Sequence, residues 1–119
     1  MPAIWHIYHV KNCRHTMPPK DKLVVIACVS VKCMGFFINT DISNFVKNRP
    51  HLSVCQVVIK ASDHKCLKYD SYVDCANIYA FEDADLSDIR DSVNNQAKTN
   101  IKAAVALSKT IEGCYKKII

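Results

Sequence analysis

The sequence predicts a mainly β, α+β fold: a small antiparallel barrel of short strands followed by one C-terminal amphipathic helix. Three observations carry this. Residues 4–81 hold short β-branched and apolar runs separated by turn-forming residues. After residue 95 the apolar period changes from two to 3.6. Strands come first and helix last, which suits α+β packing and not alternating strand–helix units. At 119 residues the chain suffices for one modest core. It reads as a single domain, 1–119, with strands over about 4–81, an acidic linker over 82–95 and the helix over about 96–117.

Each element has its own warrant. Residues 4–10 are apolar and aromatic and predict the first strand. Residues 11–22 are polar and carry Pro18-Pro19, so they predict a long loop of the kind that often holds function. Residues 23–31 are almost continuously apolar, as a central strand buried on both faces would be. Residues 32–35 turn the chain and 36–40 make a third strand. Residues 41–52 connect, with one helical turn over 43–47 ended by Arg49-Pro50. Residues 53–61 predict a fourth strand, 62–65 a turn, and 66–81 a fifth strand in two short pieces. Residues 86–93 suggest a short helical piece. Ala97, Ile101, Ala104, Val105, Ser108, Ile111, Tyr115 and Ile118 then recur at three- and four-residue spacing. This predicts one unbroken helix, capped by Asn94 or Asn95, with Gly113 as a fraying point.

Composition narrows the class. No apolar run is long enough to cross a bilayer, and the first residues lack the pattern of a signal peptide. Seven cysteines, an odd number with no Cys-x-x-Cys pair, fit free thiols in a reducing, cytoplasmic setting better than a disulfide framework. Sixteen Lys and Arg against eleven Asp and Glu give a net charge of +5. The excess lies before residue 70, and residues 82–91 are acidic. That polarity suits a nucleic acid or an acidic protein as partner. With only Gly35 and Gly113, no glycine-rich phosphate loop exists. No cofactor and no metal site is expected, since the spacing of His6, His9, Cys13 and His15 matches no zinc pattern.

Two segments carry a resemblance. Ser71-Tyr72-Val73-Asp74-Cys75-Ala76-Asn77-Ile78-Tyr79-Ala80-Phe81 is similar to the closing strand of the MazF/PemK-like family of SH3-like barrels, and Leu23-Val24-Val25-Ile26 sits where that family has its apolar second strand. The element order resembles it too. The family implies an endoribonuclease toxin that cuts single-stranded RNA without a metal, works as a homodimer and is neutralised by an antitoxin. In such chemistry a 2′-hydroxyl attacks the adjacent phosphate, a base takes its proton, and a cation holds the growing charge.

The resemblance also implies site positions. Members place an Arg, often beside a Pro, in the loop before the second strand, and a Ser or Thr at the end of the third. The latter falls on Thr40. For the former, Arg14 is the only Arg in the loop, whereas Pro18-Pro19-Lys20-Asp21-Lys22 has the Pro but offers Lys. Either Arg14 reaches in, or Lys20 or Lys22 substitutes, or the site is inactive. The expected catalytic set is therefore Arg14 and Thr40 with His15 as auxiliary acid or base, and Lys11, Lys20 and Lys22 as RNA contacts. The alternative is a non-catalytic binding or inhibitory protein on the same barrel.

Overall fold

Residues 23–29 form the greater part of β2 (Lys20–Val29), and β2 lies inside the sheet between β1 (His6–Cys13) and β3 (Cys33–Asn39). The computed structural model describes residues 3–119. Its remaining elements are α1 (Asn44–Lys47), α2 (Pro50–Ser53), β4 (Gln56–Ile59), β5 (Ser71–Asp74), β6 (Tyr79–Phe81), β7 (Ile89–Ser92), α3 (Asn95–Leu107) and α4 (Gly113–Lys116). The strands pair antiparallel in the order β4-β5-β3-β2-β1-β7, with β6 on the β3 stretch that β5 leaves free. The result is an open half-barrel.

Strand alternation explains the continuous apolar run. Val25 and Ala27 pack on one face with Phe36 and Ile38, while Val24 and Ile26 pack on the other with Phe37 and Phe81. The first face is covered by α3 through Ala97, Ile101, Ala104 and Val105. The second is covered by β6 and by Leu86 in a 3-10 turn. Full burial of each aliphatic side chain contributes about 1.5–3 kcal/mol, so a strand buried on both faces anchors the sheet.

Gly35 sits where β3 changes partner. It pairs with Ile26 on one side and Tyr79 on the other. A Cβ there would stand 2.5 Å from the Val25 carbonyl oxygen. Only glycine permits this close approach of β2 and β3.

Several boundaries differ from expectation. Half of the expected loop over 11–22 is strand: β1 runs to Cys13 and β2 starts at Lys20, leaving residues 14–19 as the connection. Residues 89–92, expected to be helical, pair with β1 as β7. Ser53 closes α2 instead of opening a strand, and 66–70 lie outside the strands. The C-terminal helix is broken. α3 ends at Leu107 because Ser108 is extended (ψ 134°). Its hydroxyl bonds with Thr110, and the Thr110 hydroxyl donates to the Ala76 carbonyl. These side chains compete with the helix for hydrogen bonds. Lys116 Nζ then donates to the carbonyls of Ser108 and Ala106, satisfying the helix end. At the other end Asn94 is the cap, its Oδ1 accepting from the Ala97 amide at 2.8 Å.

Candidate active site

The ends of β2 and β3 converge on a cleft of about 540 Å³, bordered by Lys20, Asp21, Lys22, Asn39, Thr40, Gln56 and Asp74. Lys20 and Lys22 share one face of β2 because side chains alternate along a strand. Asn39 lies on the neighbouring strand and accepts a hydrogen bond from Lys22 Nζ at 2.5 Å. The same ammonium stands 5.2 Å from the Phe37 ring centroid. Burial, and then the nearby charge of Lys20, hold the Lys22 pKa below the ordinary lysine value. Thr40 is exposed just past the end of β3.

Three carboxylates also border the cleft: Asp21, Asp41 and Asp74. Asp74 is fully engaged: Oδ1 accepts from Gln56 Nε2 at 2.9 Å and from the Ala76 amide at 3.1 Å, and Oδ2 accepts from Asn77 Nδ2 at 3.2 Å. It therefore serves as a fixed negative wall. Asp21 Oδ1 accepts from the Asn12 amide at 2.9 Å, and Oδ2 lies 3.3 Å from His9 Nε2. The other nitrogen of His9 is 3.6 Å from Asp88. His9 thus links the cleft carboxylate to the acidic segment.

The structure brings Lys20, Lys22 and Thr40 together and puts Arg14 and His15 elsewhere. The Arg14 guanidinium donates to Asp85 Oδ2 at 3.1 Å and to the Ala80 carbonyl at 3.4 Å. His15 Nε2 is 2.7 Å from the same carbonyl. Neither borders the cleft. Lys11 is exposed on β1 and also lies outside the cleft lining. Sequence reasoning weighed His9 and set it aside, and gave no role to Asp21 or Asn39. The period-two pattern of β1 and β2 carried a signal for Asp21 and His9, but the register that pairs His9 with Leu23, and so sets His9 beside Asp21, is not encoded in either strand alone.

No protein-family profile matches the chain, and a search of curated proteins finds no match. Solved structures do match. The chain is similar to the Mycobacterium tuberculosis toxin MazF-mt6, with a TM-score of 0.62, 16% identity, and coverage of 85% of this chain and 92% of that one. It is similar to a mycobacterial endoribonuclease solved in complex with its cognate antitoxin, with a TM-score of 0.67, 15% identity, and coverage of 94% and 98%. A further mycobacterial endoribonuclease gives 0.62, 16%, 88% and 88%. The fold is therefore that of the MazF endoribonucleases, as the resemblance in residues 71–81 implied.

Proposed function

We propose that this protein is an endoribonuclease toxin that cuts single-stranded RNA by attack of a 2′-hydroxyl on the adjacent phosphate, with no metal in the step. The observation that carries the reading is the cleft itself. It gathers two lysines and a threonine hydroxyl at the β2 and β3 ends, on a fold shared with endoribonucleases. Lys20 and Lys22 hold the phosphate and stabilise the charge on its oxygens as the 2′-oxygen adds. Thr40 orients a phosphate oxygen. A carboxylate of the cleft lining accepts the 2′-hydroxyl proton. The lowered pKa of Lys22 brings it nearer the range of an effective proton donor to the departing 5′-oxygen.

The proposed partners follow from charge. The cleft sets two lysines against three carboxylates, so the attraction for RNA or, in its absence, for an acidic segment of an antitoxin comes from the two lysines and from the net charge of +5 on the whole chain. A homodimer in a reducing cytoplasm completes the reading. Among the described residues no helix is long and apolar enough to cross a membrane.

One observation favours the binding-protein alternative. No arginine borders the cleft, and lysine lacks the two-point phosphate grip of a guanidinium. The two readings separate on purified protein with single-stranded RNA and a chelator. Lys22→Ala and Thr40→Ala should each slow cleavage about a hundredfold. Equal cleavage by all forms would clear the cleft of a role. Tight RNA binding without cleavage by the unaltered protein would establish the binding reading.

A further inference from the structure

A second pocket opens beside β6. It has a volume of about 390 Å³, and its lining includes His15, Tyr79, Tyr115, Asn77 and Glu112. Asn77 joins it to the cleft, because its side chain donates to Asp74, which borders the cleft. A second path runs through aromatic rings. Lys22 stands 5.2 Å from the Phe37 ring, Phe37 stacks on Tyr79 at 4.4 Å and 17°, and Tyr79 lies 4.9 Å from His15. The phosphate-binding lysine and the histidine thus end one column of rings.

His15 is built as a fixed plate. Its Nε2 bonds the Ala80 carbonyl at 2.7 Å, and its ring meets Phe81 edge-on at 5.4 Å. Both contacts hold its orientation before any ligand arrives. The Arg14 guanidinium reaches the same carbonyl, so a cation stands at that margin. Tyr115 reaches the pocket because α3 stops at Leu107. Had the helix continued, Tyr115 would lie roughly 12 Å further along its axis. Flat π faces, a cation at the margin and polar groups at the rim are the features that hold an unstacked nucleobase.

We infer that the His15–Tyr79–Tyr115 pocket is a nucleobase subsite, which seats one base of the single strand whose scissile phosphate lies in the Lys22–Thr40 cleft. This rests on the endoribonuclease reading and adds a specificity determinant to it. His15 then acts by stacking and not as acid or base. Tyr115 and Arg14 become RNA contacts, with Asn77 and Glu112 placed to meet the base edge.

The test uses short single-stranded 2′-fluoro RNA, which lacks the attacking hydroxyl, with 2-aminopurine placed at each position in turn. Fluorescence should be quenched strongly at one position. His15→Ala and Tyr115→Ala should abolish that quench and weaken binding about tenfold or more, and Tyr115→Phe should restore both. An abasic nucleotide at that position should weaken the unaltered protein equally and leave the two alanine variants almost indifferent. Binding with no position-specific quench would overturn the subsite, as would alanine variants that still tell intact from abasic strands. If the folded, unaltered protein binds no RNA at all, the endoribonuclease reading fails and the subsite fails with it.

Discussion

Burial decides how each cysteine behaves. Cys13, Cys28, Cys33, Cys55 and Cys75 are buried, Cys66 is half-buried and Cys114 is exposed. Brief treatment of the folded protein with a thiol reagent should modify Cys114 first and Cys66 more slowly. The five buried thiols should react only on unfolding, and rapid labelling of Cys55 or Cys75 would contradict their packing. Desolvation raises the Cys28 pKa to about 11 and that of Cys75 further. The sign follows from linkage. Between the ordinary thiol range near 9 and about 11, the unfolded chain loses its Cys28 proton while the folded chain keeps it. That stabilising difference is present below pH 9 and is lost as pH climbs to 11, by about 3 kcal/mol for Cys28 alone. Urea midpoints measured from pH 8 to 11 should fall, and a Cys28→Ala variant should fall less steeply. The residue scale is also where the sequence was least legible. Arg14 meets Asp85 across 71 positions and Ala80 across 66, and no local pattern encodes such a meeting. Thr40 was accessible because a strand end can be read from the apolar run before it.

Elements were legible where local pattern and tertiary context agree. The run from Leu23 reads as a doubly buried strand and is one. The α3 stripe and its Asn94 cap follow from 3.6-residue spacing and cap chemistry. Where context decides, the pattern misled. Ile89–Ser92 is a strand because the edge of β1 is available to it, not because of its own sequence. The apolar stripe past Leu107 is real, since Ile111 is buried, yet Ser108 and Thr110 divert the backbone. Two substitutions probe these elements. Gly35→Ala drives a methyl against the Val25 carbonyl and should cost about 1–3 kcal/mol. An unchanged urea midpoint would mean that β2 and β3 can part there without loss. Asn94→Ala removes the α3 cap and should cost about 1 kcal/mol, detected as a lower thermal midpoint. A stability equal to that of the unaltered chain would show the cap to be dispensable.

At the scale of the whole molecule, the half-barrel carries a cleft of mixed charge at the β2 and β3 ends and an aromatic pocket beside β6. The acidic segment lies against β1 through His9 and Asp88. The fold was legible as a class because strand spacing and the late change of period survive any error in boundaries. The candidate site was legible only in part: Lys20, Lys22 and Thr40 are drawn together by β-pairing, whereas Arg14 and His15 turn to Ala80. The central claim is that the cleft cuts RNA through the 2′-hydroxyl. Its most direct test is single-turnover cleavage of one RNA, in chelator, against the same strand with a single 2′-deoxy sugar at the cut site. The account predicts a 2′,3′-cyclic phosphate end on the first strand and an intact second strand. Cleavage of both strands at that position would contradict it.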